Sequence, residues 1–113
     1  YCYYLPKQRS QSGERLMDPR LLESFIRQYI ESQQVAEVTF TWQGGEPTLL
    51  GVEFFQRAVA LQQQYANGKR SHNALQTNGT RLDEQWATFL RDNRFLVGVS
   101  IDGPARIHDH FRN

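Results

Sequence analysis

The segment "AEVTFTWQGGEP", residues 36–47, decides the fold. Its first part is rich in β-branched and aromatic residues, which fit the pleated surface of a sheet. The paired glycines Gly44 and Gly45 then stop the pattern, as turn-forming residues do at the end of a strand. The segment therefore predicts a β-strand that leads directly into a glycine-containing loop.

A helix is predicted on each side of this strand. In "DPRLLESFIRQYIESQQ", residues 18–34, apolar residues recur at helical spacing, with Asp18 suited to the N-cap and Pro19 to the first helical position. "GVEFFQRAVALQQQYANG", residues 51–68, predicts a second helix that stops at its Asn-Gly pair. The glutamine run Gln62–Gln64 is interpreted as the solvated face of that helix.

The same alternation continues to the end of the chain. "SHNALQTNG", residues 71–79, is a weaker strand candidate, and "TRLDEQWATFLRDN", residues 80–93, predicts a helix in which Thr80 and Asp83 have capping-box-like spacing. The apolar run "FLVGVSI", residues 95–101, predicts a strand buried on both faces. The order α-β-α-β-α-β indicates an α/β fold with three parallel strands and right-handed crossover helices.

Composition favours a single globular domain and excludes several classes of partner. The 113 residues are 39% hydrophobic and 22% charged, and 13 Lys and Arg against 12 Asp and Glu give a net charge of +1. This balance argues against a nucleic-acid surface, and no apolar run is long enough to span a bilayer. One cysteine cannot form an internal disulfide, and without an export signal the cytoplasm is the predicted location.

Glycine-containing polar segments stand at the predicted carboxyl ends of all three strands. They are "QGGEP", "QTNG" and "SIDGP", and ligands of parallel α/β folds bind at these ends. Any one of these segments is readily explained as an ordinary turn. Three at one edge of a sheet favour a ligand site, with hydrogen-bonding groups supplied by Gln43, Glu46, Gln76, Asn78, Ser100 and Asp102.

Four motifs, taken in order, resemble the radical S-adenosylmethionine (AdoMet) enzymes. They are "YCYY" at residues 1–4, "WQGGEPTLLG", "LQTNGT" and "SIDGP", and their wording is most similar to that of the anaerobic sulfatase-maturating enzymes. The resemblance covers nearly the whole chain. It implies that residues 1–113 are an incomplete core domain from a partial (β/α)6 barrel, with the first strand and the C-terminal half missing.

The family's cluster motif, C-x3-C-x2-C, bears on the single cysteine. Cys2 matches the last cysteine of this motif and Tyr1 its aromatic position, so the resemblance makes Cys2 one of three ligands of a 4Fe-4S cluster. The other two cysteines would lie upstream of Tyr1. One thiolate cannot hold such a cluster, so the 113 residues alone are expected to be inactive. The resemblance also implies that the catalytic acid-base residue lies later in the parent enzyme, so none is expected among these residues.

The resemblance also assigns residues to AdoMet itself. Gly44, Gly45, Glu46 and Pro47 match the segment that holds the amino group of the cofactor, and a carboxylate suits an ammonium donor. The remaining positions implied to contact the cofactor, with Tyr4 facing either adenine or substrate, are Tyr1, Gln43 and Ser100, followed by Tyr4, Asn78 and Asp102 as weaker candidates.

The implied reaction of the parent enzyme is oxidation of a sulfatase Cys or Ser to Cα-formylglycine through a 5'-deoxyadenosyl radical. Its partners would be the sulfatase peptide and an external electron donor. Two alternatives stay open: another peptide maturase that makes a thioether or carbon-carbon crosslink, and a noncatalytic α/β module for a nucleotide-like ligand. An exposed sheet edge makes self-association of the fragment plausible.

Two further features have simpler interpretations. His108 and His110, in the sequence "HDH", are compatible with a metal site but need not bind anything. Trp42 and Trp86 fall at positions of the apolar pattern and are predicted to pack in the core.

Overall fold

The computed structural model describes residues 17–111, which form one three-stranded sheet with helices between the strands. The strands lie in the order β1-β2-β3, and both neighbouring pairs are parallel, as the sequence predicts. Along the chain the elements are α1 (Pro19–Ser32), β1 (Glu37–Trp42), a 3-10 helix (Pro47–Leu50), α2 (Val52–Gln64), β2 (Arg70–Thr77), α3 (Glu84–Asp92), β3 (Leu96–Val99) and α4 (Ala105–Phe111).

Two of the helices, α1 and α3, begin at side-chain caps. Asp18 Oδ1 accepts the backbone N–H of Arg20 at 2.7 Å, which confirms the predicted start of α1. The start predicted for α3 is wrong, because Asp83 is the N-cap and accepts the N–H of Trp86 at 2.9 Å. Thr80 instead belongs to the preceding turn, where its N–H and hydroxyl donate to Asn78 Oδ1 at 2.9 and 2.8 Å.

The core lies on the face of the sheet that the helices cover. Trp86 is buried there, and Trp42 is half-buried and packs against both clusters of core residues, as predicted for the two tryptophans. The first cluster joins α1, β1 and α2 through Leu22, Ile26, Ile30, Val38, Phe40, Ala58 and Leu61. The second joins α2, α3 and β2 through Val52, Phe55, Leu75, Trp86, Phe89 and Leu90.

One polar pair is buried between α2 and β2. Gln62, predicted to be solvated, is only 3% exposed, so that prediction is wrong for this residue. Its Nε2 donates to Asn73 Oδ1 at 2.9 Å, and Asn73 Nδ2 donates back to Gln62 Oε1 at 2.8 Å. Asn73 Oδ1 also accepts the indole N–H of Trp42 at 2.9 Å. A reciprocal amide pair satisfies its own donors and acceptors, so it can be buried at little cost.

The prediction that the third strand is buried on both faces is wrong for the described residues. Leu96 is 74% exposed, and Ile101, just beyond the strand, is 70% exposed. β3 has a paired neighbour on one side, and within residues 17–111 the helices pack against only one face of the sheet. An apolar run shows that a strand could be buried on both faces, but burial also requires other elements that cover both faces. No helix in this part of the chain is both long and apolar enough to cross a membrane.

Candidate functional site

The three glycine-containing loops lie at the same edge of the sheet. Parallel pairing places the ends of β1, β2 and β3 side by side, as predicted. Backbone N–H groups join neighbouring loops: Asn78 N–H donates to Glu46 Oε2 at 2.8 Å, and Ser100 N–H donates to the Thr77 carbonyl at 2.9 Å. Glu46, Asn78 and Ser100 therefore belong to one continuous site.

Glu46 is the centre of this arrangement. Its Oε1 accepts the N–H of Thr48 at 3.1 Å, the Thr48 hydroxyl at 2.6 Å and the Thr77 hydroxyl at 2.6 Å. With the bond from Asn78 to Oε2, the carboxylate is held by its own loop and by the neighbouring strand at once.

The local sequence explains why the carboxylate lies there. Gly44 and Gly45 both have positive φ, at 100° and 55°, a conformation that side chains disfavour and glycine accepts. The chain then becomes extended at Glu46, the N-cap of the 3-10 helix, and Pro47 occupies the first turn, where its missing N–H costs nothing. A carboxylate at this end of a helix is stabilised by the free backbone N–H groups.

The hydrogen bonds keep Glu46 ionised. Burial acts to raise its pKa, but the bonds donated by Asn78, Thr48 and Thr77 together outweigh that effect and hold the pKa below its ordinary value. Glu46 is thus negatively charged at neutral pH. Within the described chain, Oε2 accepts one hydrogen bond and Oε1 accepts three, so Oε2 is the oxygen with acceptor capacity to spare. The charge and the spare acceptor fit the ammonium group of an amino-acid ligand.

Gln76 is one of the hydrogen-bonding residues that the sequence predicts at this edge, whereas Thr77 is a site residue that was not predicted. Gln76 Nε2 donates to Ser100 Oγ at 3.1 Å, across Gly98 of the neighbouring strand. A Cβ at Gly98 would lie 2.2 Å from Gln76 Oε1, so the glycine makes room for this amide. A glycine inside an apolar strand is the sequence signal for such a close approach. Thr77 is a polar residue at the buried end of its strand, and this position is the signal by which the sequence could have indicated it.

Two of the weaker candidates, Asn78 and Asp102, make local hydrogen bonds in the described part of the chain. Asn78 Oδ1 accepts both donors of Thr80, so its side chain organises its own loop. The backbone N–H of Asp102 donates to His108 Nδ1 at 3.4 Å. His108 and His110 lie two residues apart in α4, a spacing that points side chains in different directions. Among residues 17–111, no group of three or more His, Cys, Asp or Glu side chains could hold a metal ion.

Tyr1, Cys2 and Tyr4 lie outside the described residues, so their assignments stay predictions from the motif. The remaining assigned residues, Gln43, Gly44 and Pro47, line the rim of a groove of about 540 Å³. Its wall is largely aromatic and includes Phe25, Tyr29, Phe40, Trp42 and Phe54. A second groove, of about 630 Å³, lies between α2 and α3 and contains none of the strand-end residues.

Curated relatives of the chain include anaerobic sulfatase-maturating enzymes of the serine type and of the cysteine type. A serine-type enzyme from Bacteroides thetaiotaomicron is 46% identical over 114 residues, covering 99% of this chain and 28% of the relative. A cysteine-type enzyme from Clostridium perfringens is 44% identical over 113 residues, covering 96% of this chain and 30% of the relative. The chain therefore spans less than a third of these relatives.

Solved structures agree with the sequence matches. Native anSMEcpe with bound AdoMet superposes with a TM-score of 0.87 at 41% identity, over 96% of this chain and 30% of that one. The same enzyme with bound AdoMet and Kp18Cys peptide gives a TM-score of 0.87 at 40% identity, over 96% and 29% of the two chains.

The family model of the radical SAM superfamily matches residues 1–113, the full length of the sequence. This match agrees with the fold, which has three parallel strands with crossover helices and glycine-containing loops at one edge of the sheet. The chain belongs to the radical SAM superfamily.

Proposed function

We propose that the whole protein is a radical SAM oxidoreductase that converts a Cys or Ser of a sulfatase to Cα-formylglycine. The observation that carries this proposal is the ionised Glu46 that follows the Gly44–Gly45 turn and joins two strand ends. The names of the relatives, which match along nearly the whole chain, supply the class of substrate. We also propose that residues 1–113 form part of the barrel core and that the enzyme acts in the cytoplasm.

The described loops would hold AdoMet at the strand ends. Glu46 would accept its ammonium group, with Gly44, Gly45 and Pro47 shaping the turn and Gln43 and Ser100 contacting the cofactor. Tyr1, Tyr4, Asn78 and Asp102 are further proposed contacts. Cys2 would be one ligand of the 4Fe-4S cluster. Bound together, cluster and AdoMet supply a carbon-centred radical able to abstract a hydrogen atom from substrate.

The chain's own task in this reaction is to bind and to orient. A carboxylate held on two sides by hydrogen bonds needs little reorganisation when it meets a cationic group, which is the property of a preorganised electrostatic site. The aromatic wall beside Gly44 can exclude water from one side of the ligand. An external electron donor is proposed as a partner, since the 4Fe-4S cluster would have to be reduced before it could cleave AdoMet.

Serine-type and cysteine-type relatives match at 46% and 44% identity, so these residues favour neither substrate. Reconstituted whole protein should be incubated anaerobically with AdoMet, a chemical reductant and matched sulfatase peptides carrying Cys, Ser or Ala at the target position. We expect formylglycine, detected by mass spectrometry and aldehyde-specific labelling, from the Cys or the Ser peptide, and none from the Ala control.

Two results would contradict the proposal in different ways. Cofactor cleavage without oxidation of either peptide, together with crosslinking of another precursor, would favour a different peptide maturase. Binding of a nucleotide-like ligand without any cofactor cleavage would favour the noncatalytic module.

A further inference from the structure

Thr77, the last residue of β2, links two loops of the candidate site through one hydroxyl group. It is 2% exposed. Its Oγ1 donates to Glu46 Oε1 at 2.6 Å and accepts the backbone N–H of Gly79 at 3.1 Å. Because the Gly79 amide can only donate, and an ionised carboxylate can only accept, the direction of both bonds is fixed.

The bonds to Glu46 fall into two groups with different effects. Those from Thr48 come from the same loop, two residues along the chain, and orient the carboxylate relative to its own 3-10 helix. Those from Thr77 and Asn78 come from the last residue of β2 and the residue after it, 31 and 32 residues along the chain. One of these reaches Oε1 and the other Oε2, so together they fix the plane of the carboxylate against β2.

Removing the Thr77 hydroxyl would leave a single bond, from Asn78, across the gap between the loops. The bonds from Thr48 to Oε1 would remain, so the carboxylate would still be tied to its own loop, but it would be tied to the β2 side through Oε2 alone. Its position relative to β2 would then be less tightly fixed, which would displace Oε2, the oxygen with acceptor capacity to spare.

We propose that Thr77 is a positioning residue for the cofactor: its hydroxyl holds the Glu46 carboxylate against β2, so that Oε2 stays in place for the ammonium group of AdoMet. This inference rests on the proposed function and adds to it a residue that acts through Glu46. It assigns Thr77 a role in recognition of the amino group in particular, and none in recognition of the adenosine half.

The test uses the anaerobically reconstituted whole protein with the variants T77V, T77A and T77S. Val keeps the shape and removes the hydroxyl, Ala removes the hydroxyl without adding a methyl group, and Ser keeps the hydroxyl. L75V is the matched control, since Leu75 is 1% exposed on the same strand and its change removes only a buried methylene. Equilibrium dialysis gives the Kd of AdoMet and of methylthioadenosine, which has no amino group.

We expect T77V and T77A to weaken AdoMet binding about tenfold or more, the size of one hydrogen bond to a charged group. Methylthioadenosine should bind them within about twofold of wild type, and T77S and L75V should bind both ligands within about twofold, the usual scatter for sites without a direct role. A selective loss of AdoMet affinity is the signature that general destabilisation would not produce.

Three results would overturn the inference. Unchanged or tighter AdoMet binding by T77V or T77A would mean that the hydroxyl does not position the acceptor. Equal weakening for both ligands would mean that Thr77 only supports the fold. Failure of the wild-type protein to bind AdoMet would instead overturn the proposed function, and this inference with it, so the two failures are distinguishable.

Discussion

The buried amide pair of Gln62 and Asn73 permits a quantitative test of how α2 is fixed to the sheet. The substitution N73L removes both bonds of the pair and leaves the Gln62 amide, 3% exposed, without partners. It also removes the acceptor of the Trp42 indole N–H. Because each buried polar group left unsatisfied costs about 1–3 kcal/mol, we expect N73L to lower the local free energy of unfolding by about 4 kcal/mol.

The double variant Q62L/N73L separates the cost of leaving the Gln62 amide unpaired from the cost of changing the side-chain shape at position 73. It removes both amides together, so only the Trp42 indole N–H stays unpaired, and we expect a loss of about 1–2 kcal/mol for that one group. The double variant should thus be more stable than N73L by about 2 kcal/mol, because it no longer leaves the Gln62 amide buried without a partner.

Native-state hydrogen exchange of the whole protein, read by mass spectrometry over β1, β2 and α2, measures these local free energies. Q63L is the control, because Gln63 is the exposed neighbour of Gln62 on the same helix and its change should be within about 0.5 kcal/mol of zero. If N73L and Q62L/N73L lost the same free energy, the buried amide pair would not stabilise the packing of α2 on β2, and the reasoning would be refuted.

Three further predictions concern the site and the ends of elements. Since the folded-state pKa of Glu46 is lowered, its stabilisation is present above the ordinary carboxyl pKa and lost as the pH falls through the folded-state value. The difference in free energy of unfolding between wild type and E46Q should therefore shrink as the pH is lowered. A difference that does not change with pH would contradict this. D83A, which removes the N-cap of α3, should lower the exchange stability of that helix by about 1 kcal/mol, and T80A, which keeps the cap, should lower it much less. A larger loss for T80A than for D83A would show that Thr80 is the cap after all. Residues 1–113 expressed alone and reconstituted anaerobically should show neither stoichiometric iron nor the visible absorption of a cluster, and a stable four-iron cluster would refute the expectation that their single thiolate is too few to hold one.

Local signals in the sequence were sufficient for the order and direction of the elements. The strand before Gly44 and the cap at Asp18 depend on neighbours within a few residues, and both appear where the pattern places them. The convergence of the three loops follows from parallel pairing alone, which the alternation of helices and strands already implies.

Apart from the start of α3, where Thr80 bonds to Asn78 only two residues away, the failures involve parts of the chain that are distant in sequence. Gln62 reads as solvated because its partner, Asn73, belongs to another element. Leu96 reads as buried because periodicity cannot show whether a second layer covers the sheet. The anchoring of Glu46 by Thr77 was missed for the same reason, since the two residues are brought together only when β1 and β2 pair.

That anchoring has a consequence for how the site comes into being. Two of the bonds that hold the Glu46 carboxylate span more than 30 residues, so they form only after α2 has carried the chain back and β2 has paired with β1. A ligand that prefers the anchored carboxylate then binds the paired state more tightly than the unpaired one. By mass action it must strengthen that pairing in return, which makes cofactor binding and closure of the β1-α2-β2 unit a single linked equilibrium.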